Sequence, residues 1–203
     1  MSSAQPEVAA TSEPASTDPD EPPSPGPSGS PSAAPLTILT ADERSSGAGS
    51  GEVAVDLDAL GTLLSGVLSA EGVPAQAEAS ITLVDPDRIA ALKTEHLAGD
   101  GSPTDVLSFP IDGAPGPDDT PGDGTWVVGD VVLCPDVAAD QAPTHAGTLD
   151  DELALLVVHS GLHLTGWDHA DDDERRAMWA RERQLLTQLH GPPARDPWSE
   201  PPR

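Results

Sequence analysis

Three histidines fall within eleven residues in the C-terminal third of the chain, in the stretch His159-Ser160-Gly161-Leu162-His163-Leu164-Thr165-Gly166-Trp167-Asp168-His169. Two histidines four apart on a helix are separated by about 40° around its axis and one turn along it, so both imidazoles can reach one ion. Gly166 allows the chain to reverse just past the helix end, and His169 can then swing back toward the same point. Imidazole suits zinc better than magnesium or calcium. Three neutral imidazoles at about 2.0–2.1 Å leave the fourth tetrahedral position to water, the pattern of a catalytic rather than a structural zinc. The expectation is one Zn2+ per chain on His159, His163 and His169, used for hydrolysis. Asp168 is the nearest carboxylate in sequence, and it reads either as an orienting partner or proton acceptor for the site or as a cap of the turn. No residue is assigned as general base.

The spacing His-x3-His-x5-His, with a glycine seven residues after the first His, is also the zinc framework of the metzincin proteases. Those carry a Glu immediately after the first His as general base, and here that position is Ser160. A metalloprotease would therefore need its base from elsewhere in the fold. His96, His145 and His190 each stand alone in a loop or at a helix end, where a solvated or capping role is the expectation. Cys134 reads as a buried thiol at a strand end. It is the only cysteine, which excludes an intrachain disulfide and a cysteine-based zinc cage and fits the reducing cytosol.

The elements that must position the histidines follow from periodicity. Thr148-Leu149-Asp150-Asp151 resembles a capping box with Asp in place of Glu, and it opens a helix running to about Leu164. Gly166 ends that helix, and Asp171 to Glu174 cap a last helix reaching about Leu189. Upstream, Leu57, Leu60, Leu64 and Leu68 follow Asp56 at helical spacing, and Asp85-Pro86-Asp87 starts a helix to about His96. Strands are expected at Leu36–Leu39, Ala79–Val84, Val106–Phe109 and Trp126–Leu133, with Gly129 marking a bulge or a close backbone approach. Residues 43–51 and 111–125 read as loops. The fold class is mixed α/β (α+β): one domain over residues 36–190, with a small mixed sheet of about four strands and about five helices. Residues 1–35, dominated by Pro, Ser, Ala and acidic residues, are expected to be disordered, and so are residues 191–203 beyond Gly191-Pro192-Pro193.

The 203 residues suffice for one domain with a core. No apolar run approaches the ~18 residues of a membrane span, and the first twenty residues lack the pattern of a secretory signal, so a cytoplasmic protein without a membrane partner is expected. The formal charge is −26, and residues 36–190 alone carry seven Arg or Lys against 28 Asp or Glu, a net of −21. A nucleic-acid binder usually presents a basic face. The acidity counts against one here and otherwise serves solubility.

Two further segments complete the reading: Pro103-Thr104-Asp105-Val106-Leu107-Ser108-Phe109-Pro110 and Val128-Gly129-Asp130-Val131-Val132-Leu133-Cys134-Pro135. With the histidine motif, in this order and spacing, they resemble the YbeY endoribonuclease family, also described as ribosomal-RNA maturation factors. The likeness spans about residues 36–190 and is strongest after Pro103. It implies a mixed α/β domain, zinc on His159, His163 and His169, and cleavage of single-stranded RNA. It also implies a place in maturation of the small-subunit ribosomal RNA 3′ end and in ribosome quality control, with ribosomal RNA and small-subunit components as partners and no DNA. Asp105 and Ser108 lie on a matching segment and could line the same cleft. The chain departs from the family in having Ser160 then Gly161 after the first histidine, and in lacking a basic residue between His96 and Ser102. A non-enzymatic ribosome-assembly factor with structural zinc is the other reading consistent with the acidity.

Overall fold

The computed structural model describes residues 36–45, 53–97, 100–116 and 125–199. Four strands, β1 (Thr37–Asp42), β2 (Glu78–Leu83), β3 (Val106–Pro110) and β4 (Val127–Leu133), form one sheet in the order β1-β2-β4-β3. β1, β2 and β4 run parallel, and β3 is antiparallel to β4. Five α-helices accompany them: α1 (Leu57–Ala70), α2 (Pro86–Leu97), α3 (Pro135–Gln141), α4 (Leu149–Leu164) and α5 (Asp172–Leu189). The mixed α/β class, the four strands and the five helices agree with expectation. α3 was not located in the sequence: seven residues starting at Pro135 are too few for a helical period to declare itself.

Alternation in β2 sends Ala79, Ile81 and Leu83 to one face, where they join Val131 and Leu133 of β4, the leucines of α1 and most of α4 in the main core. The opposite face carries a smaller cluster of Val84, Ile89, Leu107, Val132 and Cys134, closed by α2. Leu153 to Val158 of α4 are buried on every side, which makes it the central helix rather than a surface one. Burial also pushes the Cys134 thiol pKa up, in keeping with an inert core residue.

Gly129 does both things expected of it. The β2–β4 register slips there, Glu78 facing Val127 and Ala79 facing Gly129. A Cβ at Gly129 would lie 2.4 Å from the Phe109 carbonyl oxygen and 2.7 Å from Leu164 Cδ2, so only glycine lets β4 pass beneath the end of α4.

The helix ends bear out their caps with one difference. Asp171 and Glu174 form a complete capping box on α5. At α4 the Thr148 hydroxyl accepts from the Asp151 N–H at 3.1 Å, but the Asp151 carboxylate takes the Thr148 hydroxyl proton at 2.7 Å instead of reaching the Thr148 backbone. Asp is one methylene shorter than the Glu of a full box.

The expectation of disorder is corrected for residues 191–199. Past α5, Gly191 turns with φ 128°, the Ala194 N–H donates to Asp151 at 3.0 Å, and the Arg195 N–H donates to the Ala146 carbonyl at 2.9 Å. Trp198 is buried against the main core, and Arg183 pairs with Asp196. Prolines ended the helical pattern without ending the packing, because one large aromatic side chain and two backbone donors find partners on the domain. The expected disorder of residues 1–35 lies outside the described residues, as do 46–51 of the first expected loop and 117–124 of the second. Among the described residues, no helix is long and apolar enough to cross a membrane.

Candidate metal centre

His159 and His163 lie one turn apart on the last two turns of α4. Their rings stand edge to face at a centroid distance of 4.5 Å. The reversal that brings in His169 is a Schellman turn: Gly166 adopts φ 94°, its N–H donates to the His163 carbonyl, and the Trp167 N–H donates to the Leu162 carbonyl, both at 3.1 Å. The His169 ring then sits 4.9 Å from that of His163 and 5.6 Å from that of His159. One ring nitrogen from each histidine lies within 4.8 Å of the other two, a set that could hold a metal ion.

The turn is pinned from two sides. The Trp167 indole N–H donates to Glu71 Oε2 at 2.8 Å, and Glu71 Oε1 accepts from Arg181 of α5 at 2.7 Å. The C-terminal end of α1, the turn and α5 are thereby joined through one carboxylate.

Hydrogen bonds also fix which imidazole nitrogen faces inward. His159 Nδ1 lies 2.7 Å from Glu182 Oε1, and His163 Nδ1 lies 2.9 Å from the Trp167 carbonyl oxygen. A carboxylate and a carbonyl can only accept, so both Nδ1 atoms carry a proton, and in the neutral rings both Nε2 atoms present lone pairs. Those two Nε2 atoms face each other at 3.1 Å. Two lone pairs at that distance repel, and a cation between them turns the repulsion into attraction. Tetrahedral zinc with bonds of about 2.0–2.1 Å would separate two ligand nitrogens by about 3.3–3.4 Å. The donor set therefore fits a zinc-like ion.

Burial, reinforced by the neighbouring His159 and His169, holds the His163 pKa below the ordinary imidazole value. A neutral ring is the form that ligates metal.

Glu182 is the residue sequence reasoning missed. It is 3% exposed and sits 23 positions from His159, one glutamate among many on an acidic helix. The only signal was its place on the inward stripe of α5 with Met178, Leu185 and Leu186. Asp168 does not take this role: its Oδ1 accepts the His169 backbone N–H at 2.7 Å and the residue is exposed, which is the turn-capping alternative.

Asp105 lines a cleft of about 250 Å³ with His145, His159, Trp179, Glu182 and Trp198, and Ser108 is outside that lining. His145, expected to be solvated or capping, caps the short 3-10 turn Ala142–Thr144 and also pairs at 2.7 Å with the fully buried Glu152. His190 pairs with Asp151 at 3.1 Å. His96 rests edge-on against Phe109. Ser160 is fully buried with no hydrogen-bond partner for its hydroxyl, and Gly161 lets α4 close onto α1, where a Cβ would lie 2.6 Å from Val67 Cγ1. Into the stretch between His96 and Ser102, which has no basic residue of its own, Lys93 of α2 reaches as far as Ser102 Oγ at 3.2 Å.

The family model described as Endoribonuclease YbeY matches residues 51–190. The chain belongs to that family. A protein named Endoribonuclease YbeY from Salinispora tropica is 45% identical over 137 residues, covering 65% of this chain and 87% of the relative. The protein of the same name from Micrococcus luteus is 42% identical, covering 73% and 93%, and that from Beutenbergia cavernae is 47% identical, covering 66% and 89%. The solution structure of TM1509 from Thermotoga maritima superposes with a TM-score of 0.49 at 26% identity, over 76% of this chain and 90% of that one.

Proposed function

We propose that this member of the YbeY family binds one zinc ion on His159, His163 and His169 and uses it to cut single-stranded RNA in maturation of the small-subunit ribosomal RNA 3′ end and in ribosome quality control. The family makes the chain an endoribonuclease, a hydrolase acting on RNA, and the metal centre is where its chemistry belongs. The observation that carries the metal is the pair of inward-facing Nε2 atoms, which the partners of Nδ1 make the lone-pair side of each neutral ring. A zinc ion held by His159, His163 and His169 would supply Lewis acidity, lowering the pKa of a water and polarising a phosphodiester oxygen.

The chain's own side chains prepare that chemistry. Glu182 holds the His159 ring in one tautomer and the Trp167 carbonyl does the same for His163. The Schellman turn at Gly166, tied to Glu71 through Trp167, delivers His169. Gly129 keeps the sheet close beneath the end of α4. The place immediately after His159, where a metzincin keeps its base, holds the buried Ser160, so a protease mechanism lacks its carboxylate there.

Cytoplasmic location and partnership with ribosomal RNA and small-subunit components belong to this same reading. Its test is cleavage of a single-stranded RNA by purified protein. The intact protein should cut, and protein stripped by chelator or carrying His163→Ala should not. Equal cutting by all three would overturn it.

A further inference from the structure

The segment after α5 ends on the metal centre. Glu182 uses both carboxylate oxygens: Oε1 on His159 Nδ1 at 2.7 Å, and Oε2 on the indole N–H of Trp198 at 2.8 Å. Glu182 is 3% exposed and Trp198 is 8% exposed, so the bond between them is shielded from bulk water, while the bond to His159 is buried at its glutamate end. A flexible side chain such as glutamate has several rotamers available to it, and an acceptor with one oxygen unmet would be free to turn away from His159. The indole, rigid and with a single donor, removes that freedom.

Trp198 is itself held from several directions. The Arg183 guanidinium lies over its ring at 4.6 Å and pairs with Asp196, and the Asp196 carboxylate accepts the Trp198 backbone N–H at 3.1 Å. Earlier in the segment, the backbone bonds from Ala194 to Asp151 and from Arg195 to the Ala146 carbonyl moor it to the start of α4. The strap therefore runs from one end of α4 to the histidine pair at the other.

We infer that Trp198 is a positioning residue of the metal centre: through Glu182 it fixes the tautomer and aim of His159, so that the C-terminal strap is part of the metal site although it supplies no ligand. This rests on the three histidines binding metal and adds a residue to that reading. Partners that orient a ligand imidazole typically change metal affinity by about 10- to 100-fold when removed. Trp198 acts at one remove, so the lower end of that range is expected.

The test uses the full chain with Trp198→Phe, which keeps a ring in place and deletes the donor, with Glu182→Gln, and with the double variant. Zn2+ affinity is read by competition with a chromophoric chelator, and the stability of each metal-free protein is read by urea unfolding. Trp198→Phe should bind Zn2+ about 10-fold more weakly. The double variant should bind no more weakly than Glu182→Gln alone, because the tryptophan acts only through the glutamate. A tryptophan that merely packs would give variants with lowered metal-free stability and unchanged Zn2+ affinity, and that result would overturn the inference. The wild-type protein provides a second readout that needs no variant to fold: the Trp198 indole N–H resonance should shift on addition of one equivalent of Zn2+, and an unmoved resonance would count equally against it. Should the wild-type chain bind no Zn2+ at all, the metal reading itself fails. If it binds and Trp198→Phe matches it, only the role of Trp198 falls.

Discussion

Glu182 Oε1 lies 2.7 Å from His159 Nδ1, so a carboxylate carried by α5 decides which nitrogen of a histidine on α4 points into the metal centre. Replacing it with alanine leaves two donors without their acceptor, the part-buried His159 Nδ1–H and the buried Trp198 indole N–H. Glu182→Ala is expected to weaken metal binding by about 10- to 100-fold. It should also cost about 1–3 kcal/mol of stability, the cost of one buried donor, the Trp198 indole N–H, stripped of its acceptor. Chelator competition and urea unfolding measure the two effects separately. A metal affinity equal to that of wild type would show that the tautomer is set by something else.

The depressed pKa of His163 gives a signed pH dependence. In the unfolded chain this histidine takes up a proton as the pH falls below its ordinary 6.5, while in the metal-free fold burial and the two neighbouring histidines resist protonation down to a lower pH. The unfolded state then binds more protons, so the contribution is fully present above 6.5 and is lost as the pH falls from there through the lowered folded value. Metal-free wild-type protein should lose more stability between about pH 7.5 and pH 5.5 than metal-free His163→Gln, as read by urea unfolding at both. Equal losses would mean the shift is absent. In the metal-bound protein protons compete for the same nitrogens, and affinity should fall over the same range.

Gly129 offers a test of the floor beneath the site. With φ 153° and a Cβ that would sit 2.4 Å from the Phe109 carbonyl oxygen, an alanine forces apart β3 and β4 or displaces Leu164. Gly129→Ala is expected to cost about 3 kcal/mol or more, above the usual range for small surface changes. Thermal unfolding against Gly72→Ala provides the comparison. Gly72 also has positive φ, 84°, but has nothing within 4 Å of its Cβ position, so its cost is backbone strain alone.

The histidines were legible in the sequence because their geometry is local. A helix turn relates His159 to His163, and a glycine reversal relates both to His169, so eleven residues contain the whole arrangement. Strands, long helices and the Gly129 bulge were legible for the same reason, their signals being periodicity or a single permissive residue. Glu182 and Trp198 were not, because their roles exist only once α5 lies against α4 and the chain has folded back. Composition pointed the wrong way at the C-terminus: Pro-rich sequence reads as disorder, yet burial of Trp198 and the bonds from Ala194 and Arg195 order residues 191–199. The family likeness identified RNA as the substrate where the charge of −26 argued against it, since net charge describes the whole surface and cleavage is decided at one site.

Ser160 carries a buried hydroxyl with no partner. Ser160→Ala removes the unmet group and substitutes the best helix former, so it should raise stability by about 1 kcal/mol with metal affinity unchanged. Urea unfolding and chelator competition decide it. A loss of stability would show that the hydroxyl is engaged in the folded protein.

Metal content of the purified protein bears most directly on the three-histidine centre. Elemental analysis of wild-type protein prepared without added chelator should find one equivalent of zinc per chain, and His163→Ala prepared alongside should hold almost none and leave single-stranded RNA uncut. Wild-type protein free of any transition metal yet fully active on RNA, or His163→Ala with a full equivalent of zinc, would contradict it.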